Sequence, residues 1–338
     1  MGIAAALSLV AACAPGPTLR VSARWQWHAP APAYMGAPAS NGGHIAATYG
    51  HAVLVLVDAR SGRLAWEAQR VGLRDVAPAF AGDLVFAATD DGVAAFERGD
   101  GRLVWERQLG DRASTPLVLD GTPVVTTWDG RLVSLGRTPW TVALPGPSLG
   151  PPAAADGVVV ASCDTGVLAV DSATAQVLWQ HDFDGPGTSA PAVSHGLAIV
   201  VGGDRRAHAF DLRSGQERWS LPMRGAGSPE APPQARGGRV ALVDRLGDLV
   251  VVSAATGRSG WSWAGPGAVV RGGPVFVGAE TVALPLDDGR LAIATRHAHV
   301  LRPFDGRVSG VAAIDGGGRL VVATREGDSN GLITLRLG

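Results

Sequence analysis

Apolar residues in this chain come in short runs broken by Gly, Pro, Asp and Ser, and nowhere at the three-and-four spacing of an amphipathic helix. Leu84 to Ala88 and Gly157 to Ala161 are typical. Runs this brief are too short for helices and fit strands buried on both faces. Between them stand Asp90-Asp91-Gly92, Asp129-Gly130, Asp164-Thr165-Gly166 and Asp287-Asp288-Gly289, each leading into another β-prone run. Asp-Gly supplies the positive φ angles of a tight hairpin. The pattern predicts an all-β chain of short antiparallel strands.

The runs are periodic. Trp66, Trp105, Trp140, Trp179, Trp219 and Trp261 lie 39, 35, 39, 40 and 42 residues apart. Four residues before the Trp stands Gly62, Gly101, Gly136, Gly215 or Gly257, with Ala175 as the exception, and eight before it Asp58, Glu97, Asp171 or Asp211. Pro38, Pro78, Pro116, Pro152, Pro191, Pro232 and Pro274 recur every 36 to 42 residues. A period near forty marks a repeat architecture.

Each unit reads as a four-stranded meander. Pro opens the first strand, where a missing N–H costs least. The Ser-Gly turn precedes the fourth strand, whose Trp covers the seam to the next unit. A lone sheet cannot bury both faces; radial stacking buries them and leaves only short edges. The fold expected is a β-propeller of four-stranded antiparallel blades. Seven Pro-initiated units end near Phe304, and the rest of the chain has room for three strands: Gly310 to Ile314, Arg319 to Thr324 and Leu332 to Leu337. The run from Val21 to Trp27, with Trp27 39 residues before Trp66, supplies a fourth. Eight blades follow, the ring closed by the N-terminal strand, which also covers a dangling edge. Seven is the alternative, because Thr138 to Thr141 and the stretch around Pro303 make weak fourth strands.

Composition narrows the function. Net charge is −1, so no global field draws nucleic acid. All 29 basic residues are Arg, as codon bias in a GC-rich genome would give. Cys13 and Cys163 are too few for a disulfide framework, a four-Cys zinc site or an attached haem. Residues Gly2 to Ala12 are small or apolar and end in Val10-Ala11-Ala12-Cys13, although no Lys or Arg precedes them. That run is too short for a membrane span and reads as a secretory signal. It resembles a bacterial lipobox, which implies lipid attachment at Cys13, with Ala14 to Thr18 as a tether. Residues 1–20 are therefore expected to be signal and tether, and 21–338 the propeller.

The repeat core, best seen in Asp58-Ala59-Arg60-Ser61-Gly62-Arg63-Leu64-Ala65-Trp66 and in Asp211 to Trp219, resembles the quinoprotein-type (PQQ-like) propeller repeat over nearly the whole mature chain. With a lipobox before it, the chain is similar to the BamB-type lipoproteins of the outer-membrane β-barrel assembly machinery. The resemblance implies a non-catalytic scaffold in the bacterial envelope, anchored by lipid at the periplasmic face of the outer membrane in a diderm or the extracytoplasmic face of the plasma membrane in a monoderm, and binding protein partners such as a β-barrel assembly protein. In that family a Leu-x-Leu-Arg loop is implicated in gripping the barrel protein. Its nearest matches are Leu221-Pro222-Met223-Arg224 and Val71-Gly72-Leu73-Arg74, both just after a Trp strand; they read equally as inter-blade linkers.

Quinone (PQQ)-dependent dehydrogenases share the repeat, and such an enzyme or another ligand-binding propeller is the alternative. The dehydrogenases typically carry a vicinal Cys pair against the quinone, whereas these cysteines are 150 residues apart. No cofactor, metal or small-molecule substrate is expected. His297 and His299 would share one face of a strand, but two His without a third ligand make a poor metal site. Cys163 reads as a buried thiol, and Trp128-Asp129 as part of a hairpin rather than a WD-repeat signature.

Overall fold

The computed structural model describes residues 21–337 apart from 31–33, 149, 230, 268–269, 271, 305–306, 315–317 and 326–329. Eight four-stranded antiparallel sheets follow one another along the chain. Blades 1 to 7 occupy 39–69, 79–108, 117–143, 153–182, 192–222, 234–263 and 275–303. Blade 8 runs Arg307–Ala313, Arg319–Arg325, Gly331–Leu337 and then, as its outermost strand, the N-terminal Val21–His28. Val21 lies opposite Leu337 and Trp27 opposite Leu332, so the two ends of the chain close the ring.

The strands in doubt are present: Trp140–Ala143 completes blade 3 and His299–Pro303 completes blade 7. Each is held by the apolar strand inside it, Arg131–Ser134 and Arg290–Ala294 respectively. First strands touch first strands around the whole circle, including Ala39–Ser40 against Arg307–Ala313. They therefore line the central axis. Pro38, Pro78, Pro116, Pro152, Pro191 and Pro274 each stand immediately before such a strand, and Pro232 two residues before.

Burial follows position in the blade. Second and third strands such as Val158–Cys163 and Gly92–Glu97 are buried almost throughout, while fourth strands alternate, as in Leu64–Gln69. The core is a series of seams rather than one centre. Ala46, Leu54, Leu56 and Trp66 of blade 1 pack on Val85, Ala87 and Phe96 of blade 2. Ile45, Val55 and Val57 of blade 1 pack on Val321, Ala323 and Leu332 of blade 8. Closure thus adds a seam of the same kind as the others, and removes apolar area from water in proportion.

Two kinds of loop separate the faces. One face carries the hairpins between second and third strands together with the blade-to-blade linkers. Asp side chains tie these together: Asp164 Oδ1 accepts the Gly187 N–H at 3.0 Å, and Asp248 Oδ1 the Gly265 N–H at 2.9 Å. The opposite face carries the Asp-x-x-Ser-Gly turns.

Candidate functional site

The repeat residues form a lock between blades. Trp66 Nε1 donates to the Arg98 carbonyl at 2.8 Å, three residues before Gly101 in the next blade. Trp140, Trp179 and Trp219 repeat this on the carbonyls of Ser172, Leu212 and Ala254 at 3.0, 2.9 and 2.9 Å. Beneath the rings lie glycines in the left-handed region: Gly62 (φ 71°), Gly101 (76°), Gly215 (70°) and Gly257 (66°). A Cβ on Gly215 would stand 2.5 Å from Trp179, and one on Gly101 2.6 Å from Trp66. Only glycine combines that φ with that approach. Ala175 holds φ 59° in the turn that serves Trp140.

An Asp side chain builds the turn. Asp58 Oδ1 accepts the N–H of Arg60 and of Ser61 and the Ser61 hydroxyl, at 3.1, 2.7 and 2.6 Å. Asp171 and Asp211 do the same with Thr174 and Ser214. These bonds favour the ionised form, so all three carboxyls sit below the ordinary carboxylate value; Ser61 is the main cause at Asp58, the Thr174 N–H at Asp171 and the Ser214 N–H at Asp211.

The periodicity misplaced two members, and a third, in its expected place, lacks the lock. Trp25, not Trp27, is the lock of blade 8: its Nε1 reaches the Ala59 carbonyl at 3.3 Å and its ring lies over Gly62. Trp27 turns instead to Tyr49, ring centres 6.0 Å apart. A register shift between Ala23 and Gln26 separates the two roles. Gly136 is not under Trp105; it faces Thr122, and Trp105 packs on Phe86 of its own blade. Trp261 is half-buried, with no hydrogen-bond partner for its Nε1 among the described residues. The turn ahead of it, Thr295 to Ala298, lacks the Asp-x-x-Ser-Gly sequence.

The two segments matched to the gripping loop divide between core and surface. Leu73 is 0% exposed in the seam of blades 1 and 2, and Met223 9% exposed in the seam of blades 5 and 6. Both are taken up by the core and present nothing to a partner. Leu221 is half-buried beside Met223, and Pro222 is exposed. Arg224 stands outward and pairs with Asp248 at 2.9 Å. Arg74 turns toward the axis.

There the hairpin-and-linker face opens into a cavity of about 840 Å³, walled by the segments that enter the innermost strands of blades 8, 1, 2, 3, 4, 6 and 7. Polar groups gather on one side: His51, Arg74, Asp75, Asp90 and Arg112. Across the mouth the wall is Pro229, Pro232, Pro233 and the run Gly272-Gly273-Pro274. Burial holds the Arg74 guanidinium below its ordinary value; Asp90 opposes that, and the like charge of Arg112 adds to it. This cluster draws one or two residues from each of several blades, so no motif announces it in the sequence.

Other side chains singled out earlier do not assemble a site. Cys163 is a free, buried thiol at the end of its strand. His297 and His299 do not share a strand as expected: His297 lies in the preceding turn, and His299 packs against Trp263 with ring centres 5.7 Å apart. Thr295 makes that turn by accepting the N–H groups of His297 and Ala298 on its hydroxyl. Sequence reasoning passed over His208, whose ring nitrogens lie 2.9 Å from Glu217 Oε1 and 2.9 Å from Asp204 Oδ2. Its hydrogen bond is the main reason Glu217 sits below the ordinary carboxylate value. Stacked at 4.9 Å on Phe183, the first residue after the last strand of blade 4, His208 ties blade 5 to that linker. Among the described residues no group of three or more His, Cys, Asp or Glu could hold a metal ion.

Fold and repeat together define the class: an eight-bladed propeller of quinoprotein-type repeats. A family model described as "Outer membrane protein assembly factor BamB" matches residues 21–136, 90–226, 129–267 and 163–331, and the chain belongs to that family. The BamB of Bordetella pertussis is 27% identical over 266 residues, covering 76% of this chain and 56% of the relative. A serine/threonine-protein kinase, AfsK of Streptomyces griseus, is 28% identical over 171 residues, covering 44% of this chain but 21% of the kinase. The chain spans about half the length of the curated assembly factors it matches, from 42% to 56%. The crystal structure of BamB from Moraxella catarrhalis superposes with a TM-score of 0.72 at 16% identity, over 94% of this chain and 97% of that one, a likeness of fold.

Proposed function

We propose that the protein is a non-catalytic scaffold of the bacterial envelope, held to the membrane by lipid on Cys13, which assists the assembly of outer-membrane β-barrel proteins. The observation that carries this reading is the family match from residue 21 to 331, which takes in all eight blades. The place proposed is the periplasmic face of the outer membrane. The hairpin-and-linker face is the natural docking side, since propellers present loops on a rigid scaffold. On it Arg224 and Arg74 are the charged contacts proposed, with Leu221 as an apolar one; Arg is among the residues enriched at binding hot spots.

The test is affinity purification of the tagged chain from native membranes of its own organism. Recovery of a β-barrel assembly protein in near-stoichiometric amount, reduced at least tenfold by the double variant Leu221→Ala/Arg224→Ala, is the expected result. Wild-type protein that brings down no barrel-assembly component, or that copurifies with a tightly held quinone, would overturn the proposal.

A further inference from the structure

The channel mouth holds two guanidinium groups that the protein does not pair. Arg74 donates through Nη1 to the Ala113 carbonyl at 2.8 Å, and among the described residues no carboxylate comes within ion-pair distance of it. Nor does one reach Arg112, which is exposed beside it. A guanidinium carries five donors in a planar fork shaped for a carboxylate. Of the nearby acids, Asp75 and Asp111 are engaged locally, while Asp90 also lines the cavity. Asp75 lies 3.3 Å from His51 Nε2, and Asp111 accepts the backbone N–H groups of Arg112 and Asp129 at 2.8 and 2.6 Å. Asp90 acts on Arg74 through its charge, from beyond ion-pair distance.

Shape and apolar surface point the same way. The cavity, about 840 Å³ and open to solvent, is within the usual range for ligand sites. The prolines of its far wall offer no N–H, and among the described residues no charged side chain stands with them, so the charged groups are concentrated on the Arg side. Among the described residues nine large apolar side chains are exposed, and five lie on outer strands. The other four are Tyr34, Val71, Trp128 and Leu246, all on the linkers or hairpins of this one face. Trp128, 52% exposed, is bonded through its backbone N–H to the Arg112 carbonyl, and Tyr34 adjoins Met35 of the cavity wall. Exposed aromatic side chains beside Arg are the usual composition of a protein-binding patch.

We propose that the channel mouth beside Arg74 and Arg112 receives an acidic, extended peptide segment of a partner protein, its carboxylates on the two guanidinium groups and its apolar side chains on Tyr34, Val71 and Trp128. The inference rests on the scaffold reading for the identity of the occupant only; the chemistry of the site stands apart from it.

The test uses the isolated full-length protein and a fluorescein-labelled, end-blocked nonapeptide with a central Phe flanked by Glu, followed by fluorescence anisotropy. The expected result is saturable binding that weakens at least tenfold when the Glu residues become Gln. Arg112→Gln should weaken it at least fivefold, Trp128→Ser should weaken both peptides, and binding should fall as salt rises. Arg74→Gln should act like Arg112→Gln; because Arg74 also holds Ala113, Arg112→Gln, an exposed side chain, keeps the test independent of folding. Equal binding of the Glu and Gln peptides, no binding of either, or indifference to Arg112→Gln would overturn the proposal. So would Arg112-dependent binding of citrate without binding of the peptide, which would make this a site for small organic anions. Copurification tests the scaffold reading on other material, so either result can fail without the other.

Discussion

At the residue scale the molecule is held by one contact, an indole laid over a left-handed glycine and bonded to a carbonyl of the next blade. Trp66 and Trp179 make it fully, and truncating either to Ala should destabilise the protein by about 3–5 kcal/mol, read from urea unfolding midpoints. Trp261→Ala should cost less than half as much, because its Nε1 has no described partner. Gly215→Ala tests the other half of the contact. The left-handed φ alone costs about 1–3 kcal/mol for a residue with a Cβ, and Trp179 stands in the way as well. The turn acids add a pH dependence. Asp58, Asp171 and Asp211 have folded-state values below the ordinary one, so their contribution is present above about pH 4 and is lost as pH falls through the folded values. The melting temperature of Asp211→Asn should therefore lie below wild type between pH 5 and 7, with the gap closing below pH 4. A gap that stayed constant down to pH 2 would show that charge at this turn is irrelevant.

At the element scale the sequence was informative where chemistry recurs and silent where it does not. Five turns built with Gly or Ala under a Trp were legible because the same atoms must meet in each. The blade 3 turn broke the rule visibly: Leu132 stands eight residues before Trp140, where blades 1, 2, 4 and 5 have an acid, and Gly136 there leaves Trp105 without a platform. The choice of Trp25 over Trp27 was hidden, since a register shift inside a strand leaves no mark on the spacing. The channel mouth was hidden for a different reason: Arg74, Asp90 and Arg112 belong to separate linkers and hairpins, and the stacking of neighbouring blades 1 to 3 brings them together, while closure of the ring through blade 8 completes the wall around them. That closure is itself testable. Strand Val21–His28 covers the whole outer edge of Gly331–Leu337 and brings Trp25 to Gly62, so deleting 21–28 removes one ladder and one lock. An edge left open pairs with another chain. The deletion variant should self-associate in size-exclusion chromatography with light scattering and unfold at lower urea. A monomer with an unchanged midpoint would mean that the ring does not depend on this strand.

At the scale of the whole molecule the proposed role raises the question of what would keep a propeller of net charge −1 at a membrane. No helix among the described residues is long and apolar enough to cross a bilayer. Residues 1–20, which include Cys13, lie outside the described structure. Within them Ala14 to Thr18 has no apolar period and is rich in Pro and Gly, a composition suited to a tether. Acyl chains on Cys13 would contribute about 0.8 kcal/mol per buried CH₂, and two or more chains make the attachment stable. Cys13→Ser should then move the protein from the membrane to the soluble fraction and leave its melting temperature unchanged, because all eight described blades are built from Val21 onward. Mass spectrometry of the native protein should find the acyl chains on Cys13. A scaffold working at the membrane should lose its function in that variant, although the soluble chain still binds its partner in vitro, because the tether supplies local concentration rather than contacts. If the Ser variant stays membrane-bound, or Cys13 proves unmodified, attachment must run through the partner, and the docking face would carry localisation as well as binding.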